Sequence, residues 1–268
     1  MRVTALLSLL VGLALLAGTA WGDQGQGQAP GQGNQSYYRA LFALPQPDIS
    51  AIAARAQALG FWIRVAQDGE VFYLHGNQPC TTCRPEEEAS FFDFPQLYLD
   101  DGLFWTRIDA PEYRLNLRPS AELLGFYEVT LLPKMELSLA QAEEIACGWL
   151  EQLAITPGSS LSFTLQRIPE KPRPPEGVRL DSVLYALALA PDWADFAASR
   201  GLDLLGMRIK VVVELQVPGA QLGDYHQIEE ARTDDLIRVL IPVSELLRLA
   251  QDPVVKFVRL PYQPQPAG

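Results

Sequence analysis

The chain has 268 residues with 21 Lys and Arg against 32 Asp and Glu, a formal net charge of −11, and 48% hydrophobic residues. That balance argues against a nucleic-acid role, because neutralising phosphates needs a basic face and none is visible. The length suffices for one large or two small domains whose cores need no covalent staples.

Arg2 provides a positive n-region, Ala5 to Leu16 an apolar h-region, and Gly18-Thr19-Ala20 or Ala20-Trp21-Gly22 a small-residue cleavage site. Residues 1–20 therefore read as a signal peptide. The apolar stretch, about 16 residues, is short of the ~20 that span a bilayer, so cleavage and soluble export to the periplasm, envelope or exterior are expected. Cleavage removes Arg2 and no acid, leaving the mature chain one unit more negative. No later segment is apolar enough to span a membrane. Residues 21–36, rich in Gly and Gln, read as a flexible linker.

The predicted elements begin near Tyr37. Asp48 caps a helix to Leu59, with Ile49, Ile52, Ala53, Ala56 and Leu59 on one face and Gly60 as its stop. Phe61–Ala66 and Glu70–Leu74 form a hairpin about Asp68-Gly69; Leu97–Leu99 and Leu103–Ile108 form another about Asp101-Gly102. Tyr113–Leu117 and Phe126–Leu132 complete a first α+β unit over 37–132.

A second unit is expected over 133–190. Ser138 and Gln141 make a capping box, and Ala142, Ile145, Ala146, Trp149, Leu150 and Leu153 line one helical face. Strands are expected at Leu161–Ile168 and Val178–Ala190 around the proline-rich Pro169–Gly177. The third unit, 191–262, opens with a short helix over Asp192–Ser199. Met207–Leu215 alternates at period two, and Leu236–Pro242, Val243–Ala250 and Val254–Leu260 follow as strand, helix and strand. That order is half of a split βαβ, so the expected class is α+β, helices packed on antiparallel sheets, with a C-terminal ferredoxin-like module.

Two resemblances follow from these residues. Leu137-Ser138-Leu139-Ala140-Gln141-Ala142-Glu143-Glu144-Ile145-Ala146 resembles the helix opening of PepSY-type domains, which are extracytoplasmic and often restrain peptidases. The run Leu236–Pro242, Leu246–Ala250 and Val254–Val258 is similar to the second half of subtilisin-propeptide-like domains. That resemblance implies a ferredoxin-like fold binding a protease through its sheet and extended tail; Gln216–Thr233 departs from it in lacking a crossover-helix pattern.

Cys80 and Cys83 are two residues apart, and in an oxidising compartment they most simply close a local disulfide. A thioredoxin site would open a helix, whereas this pair lies between Pro79 and Arg84-Pro85. With His75 and a carboxylate from Glu86, Glu87 or Glu88, the same cysteines make a half-complete framework for zinc or iron. Cys147 sits off the apolar stripe of its helix and is expected to be a covered, inert thiol, a reactive one being the alternative that stays open. His226, in a polar connection, reads as a solvated loop histidine.

No catalytic residue is assigned and no cofactor is expected. The chain lacks G-x-S-x-G, H-E-x-x-H and phosphate-loop signatures, and its only histidines are His75 and His226. The expected role is an exported, non-enzymatic protein that binds another protein. A hydrolase with a carboxylate pair needs no local spacing, so that activity stays open, as does a purely structural role. The candidate binding residues are Pro261, Tyr262, Pro264 and Pro266, where prolines favour an extended chain with little entropy to lose on binding. Residues 263–268 read as its tail.

Overall fold

A computed structural model describes residues 36–67, 70–75, 78–80, 94–169 and 172–262. Residues 1–35, the expected turn at Asp68-Gly69, Cys83, Glu86, Glu87, Glu88 and residues 263–268 lie outside the described residues.

Nine strands form the larger sheet, in the order β4-β3-β2-β5-β6-β7-β8-β1-β9. They are β1 (Ser36–Ala43), β2 (Trp62–Gln67), β3 (Glu70–His75), β4 (Gln78–Cys80), β5 (Gln96–Asp100), β6 (Leu103–Asp109), β7 (Tyr113–Pro119), β8 (Phe126–Pro133) and β9 (Thr164–Arg167). All neighbours are antiparallel except β2 and β5, which are parallel. The Asp101-Gly102 hairpin forms as expected, with both residues at positive φ (45° and 78°), as a two-residue primed turn requires.

Helices α1 (Ile49–Ala58) and α2 (Leu139–Gln152) cover one face of this sheet, α1 over β2 and β5 and α2 over β8. Asp48 caps α1 by accepting from the Ala51 N–H, and the Ser138/Gln141 capping box closes in both directions. Phe42, Phe61, Leu97, Phe104, Leu115, Leu117 and Leu131 bury themselves here against Ile52, Ala56, Ala142, Ala146 and Leu150. Trp149 is only half-buried. Its ring meets Phe61 edge-on at 6.0 Å and its Nε1 donates to the Tyr113 hydroxyl at 2.9 Å, so the stripe's outer residue keeps a polar handle.

The smaller sheet contains β10 (Leu204–Leu205), β11 (Arg208–Leu215), β12 (Ile228–Arg232), β13 (Leu236–Pro242) and β14 (Val255–Arg259), all paired antiparallel. Its order is β12-β13-β11, and β10 and β14 pair with opposite ends of β11. A 3-10 turn (Val243–Glu245) and the short α5 (Leu246–Leu249) connect β13 to β14. Together with α3 (Ser182–Leu189) and α4 (Trp193–Arg200), this sheet builds a second core that also takes in Tyr98 and Trp105 from the larger one. The architecture is α+β.

Val178–Ala190, expected as a strand, is mostly helix α3. Asp181 caps it by accepting from the Val183 N–H at 2.8 Å, and the run SVLYALAL, which buries Leu184, Leu187 and Ala188, is apolar almost throughout. Such a run carries no period to separate helix from strand. Only Leu180 keeps a strand-like contact, an isolated parallel bridge to Val258. The elements expected as a unit over 133–190 are shared out: α2 and β9 join the larger sheet, and α3 joins the second core.

Candidate functional site

Two features are candidates for function: the exit of the chain from β14, and the charged face of the larger sheet. At the first, Val255 and Val258 anchor β14 in the second core. Arg259 pairs with Glu214 of β11, Nε to Oε1 at 3.0 Å, and its guanidinium lies 4.3 Å from the ring centroid of Tyr262. Tyr262 is 84% exposed. An aromatic ring this open is normally a mobile side chain, but the pairing of Arg259 with Glu214 fixes the cation against which it stacks. Tyr262 is thereby presented outward in a limited set of orientations.

The second feature arises from strand alternation. While Leu115, Leu117, Val129 and Leu131 point to α1 and α2, their neighbours Arg114, Asn116, Arg118, Glu128 and Thr130 point to the opposite face, with Arg107 and Asp109 from β6. Arg107 donates to Asp192 (Nε to Oδ2, 3.1 Å) and Asp195 (Nη2 to Oδ1, 2.9 Å) at the start of α4. Arg114 donates to Asp109 at 2.8 Å and also pairs with Asp195, and Lys134 pairs with Asp109. Burial pushes the Asp109 carboxyl up, but the hydrogen bonds from Arg114 and Lys134 outweigh it and hold Asp109 below the usual range. Burial and the neighbouring Asp192 raise Asp195, against the pull of the two arginines.

Beside this group, Glu128 is clasped by two arginines. Its Oε1 accepts from Arg118 (Nε 2.7 Å, Nη2 2.5 Å), and its Oε2 from Arg39 (Nε 2.7 Å, Nη2 2.6 Å), which also pairs with Glu122. Arg118 lies 4.3 Å over Trp193, whose ring meets Trp105 at 5.6 Å. Asn116 and Thr130 both donate to the Pro191 carbonyl, at 3.2 and 2.6 Å. These carboxylates are committed to guanidinium partners, and what the arrangement does is fasten the start of α4 to the sheet.

A further junction joins the β5–β6 turn to β11. Arg208 grips Asp100 with Nε and Nη2 at 2.6 and 2.7 Å, both side chains being buried, and also donates to the His226 carbonyl. His226 is not a free loop residue. Its Nδ1 is 3.0 Å from Asp101 Oδ2, and its backbone, at φ 52°, donates to Asp224. Next to it Tyr225 donates to Asp252 at 2.5 Å; burial and that bond push the phenol up to about 12.

Of the residues singled out in the sequence, Pro261 and Tyr262 stand together at the end of β14, and Pro264 and Pro266 lie outside the described residues. His75 and Cys80 fall in adjacent strands, with His75 opposite Gln78 and Cys80 opposite Tyr73, and Cys83 lies outside. Among the described residues no group of three or more His, Cys, Asp or Glu is placed to hold a metal ion. Cys147, expected to be covered, is an exposed free thiol, because α2 turns its Glu144, Cys147 and Glu151 side to solvent. The charged face escaped the sequence reading because Arg, Asp and Glu at period two on a strand look like a solvated face. The one local hint is their density: Arg107, Asp109, Arg114, Arg118 and Glu128 fall within three successive strands. No helix among the described residues is long and apolar enough to cross a membrane. No family model matches the chain, and no curated protein matches it significantly.

Proposed function

We propose that this is an exported protein of the cell envelope or exterior that acts by binding another protein through its C-terminal sheet and tail, with Cys80 and Cys83 joined as a local disulfide. The observation that carries the reading is Tyr262, 84% exposed and stacked on an arginine that is itself held by Glu214. A pre-oriented aromatic loses little entropy on being buried, which is the property of an interface anchor. β13, α5 and β14, with β11 between the two strands, follow the order of half a split βαβ unit. That order supports the ferredoxin-like reading of 191–262 and, through the likeness to subtilisin propeptides, a peptidase as the class of partner.

The test compares the mature protein with Tyr262→Ala and with a deletion of residues 262–268, each immobilised and exposed to native envelope extract. Partners captured by the intact protein should be lost from both variants while circular dichroism and melting stay unchanged. Equal capture by the truncated protein overturns the reading.

A further inference from the structure

We infer that the outer face of the smaller sheet docks an acidic segment of the partner protein that also carries apolar residues, a step that rests on the reading of this sheet as the binding side. Alternation along β11 sends Ile209, Val211, Val213 and Leu215 into the second core, and Lys210, Val212 and Glu214 to the other side. The register sets Arg259 and Arg238 on either side of Val212, Phe257 and Leu236 on either side of Glu214, and Leu240 beside Lys210. Arg208, also on this side, is buried against Asp100 and bounds the face at that end. Beyond it Val212 and Phe257 are half-buried and Leu236 is exposed, while α3, α4 and α5 pack on the opposite side.

Charge decides what this face accepts. Glu230 pairs with Lys210 through Oε1 at 2.8 Å and with Arg238 through Oε2 at 3.0 Å; Glu214 pairs with Arg259 through Oε1 at 3.0 Å, and its Oε2 lies 4.0 Å from Lys256. Each carboxylate is thus shared by two cations, and the face carries a local positive surplus on a chain whose net charge is −11. The acids also lie deeper: Glu230 and Glu214 are 26% and 27% exposed, against 49%, 51% and 66% for Lys210, Arg238 and Lys256. A partner therefore meets ammonium and guanidinium groups set around apolar side chains. Arg259, 17% exposed, stacks with Tyr262 and makes the tail anchor continuous with this face. The exposed Asp234 and Asp235 stand outside the grid, in the turn before β13. The chain's overall negative charge is screened beyond about 8 Å at physiological salt, so a docked segment reads the local charge. A basic segment would meet like charge here, whereas carboxylates flanking an apolar residue match both the cations and the side chains between them.

The test follows amide chemical shifts of the full mature chain in about 0.15 M salt, titrated with a glutamate-rich synthetic peptide bearing leucines and, separately, with its lysine-for-glutamate counterpart. The acidic peptide should shift β11, β13 and β14 and leave β7 and β8 unmoved, and the basic peptide should do neither. Lys210→Gln combined with Arg238→Gln should weaken the acidic peptide roughly two- to thirtyfold, the loss of two solvent-screened pairs. Absent shifts, shifts centred elsewhere, an equal response to both peptides, or a stronger response of this face to phosphatidylglycerol vesicles overturns the inference. Capture from envelope extract that is lost in Tyr262→Ala but unchanged in the doubly neutralised variant also overturns it, while leaving the tail-binding reading intact.

Discussion

The sharpest energetic consequence of the charged face concerns Glu128. Its side chain is 3% exposed and each oxygen is held by a different arginine, so Glu128→Gln keeps the shape and removes the charge. Arg39 retains Glu122 at the edge, but Arg118, 2% exposed, is left with no anionic partner. Leaving one buried ion unpaired costs about 3–5 kcal/mol. For a chain of this size that lowers Tm by roughly 6–20 °C. The paired replacement Glu128→Leu with Arg118→Met removes both charges and, although it forfeits the stack on Trp193, should be more stable than Glu128→Gln alone. Urea denaturation at neutral pH measures both. A single variant costing less than about 1 kcal/mol, or a double variant no better than the single, would refute the assignment of the cost to an unpaired guanidinium.

Asp109, held below the usual carboxylate range by Arg114 and Lys134, contributes stability that is present at neutral pH and lost as the pH falls through its depressed folded value. The gap in urea midpoint between wild type and Asp109→Asn should accordingly close on acidification; a gap independent of pH contradicts this. Trp149→Phe should cost about 0.5–1.5 kcal/mol through the lost bond to Tyr113, and Tyr113→Phe about the same, with the double change far from additive. Cys147 should react with a thiol reagent in the native protein, and Cys147→Ser should fall within about 0.5 kcal/mol of wild type. Mass spectrometry after alkylation under denaturing, non-reducing conditions should find Cys147 labelled and Cys80 and Cys83 protected; three labelled thiols would rule out the disulfide.

The elements with a local cause were legible in the sequence. Asp48, Gly60, the Ser138/Gln141 pair and Asp101-Gly102 specify helix ends and a turn through bonds or dihedrals a few residues long, and each is found where its residue type places it. β1 was not legible, because YYRALFA has no strict apolar-polar alternation; it pairs with both β8 and β9, burying Tyr38, Ala40 and Phe42 while Arg39 and Leu41 stay partly exposed. β12 has the polar sequence IEEAR and is a strand because β13 supplies a partner, with Glu229, Glu230 and Arg232 along a bulged, charged edge that resists further pairing. Helix α3 shows the reverse failure, a run so apolar that its pattern does not separate helix from strand. The candidate site divides the same way. Tyr262 and its prolines stand out in the sequence, but the Arg259–Glu214 support comes from a strand 45 residues earlier.

The charged face also bears on how the larger sheet chooses its register. Buried ion pairs add little net stability compared with apolar residues of the same shape, so Arg107, Arg114, Arg118 and Glu128 are not explained by stability alone. A slip of one residue in β7 would turn Arg114, Asn116 and Arg118 into the apolar layer under α1 and α2, and Leu115 and Leu117 onto Asp192 and Asp195. Each such arginine would be a buried charge without a partner. An all-apolar sheet buried on both faces would accept the slipped pairing at small cost, whereas here the correct register is the one in which β6, β7 and β8 send their charges to the side where α4 begins. The same alternation therefore builds one core, specifies the pairing of β6, β7 and β8, and leaves a fixed set of anchors for the segment that leads to the C-terminal sheet.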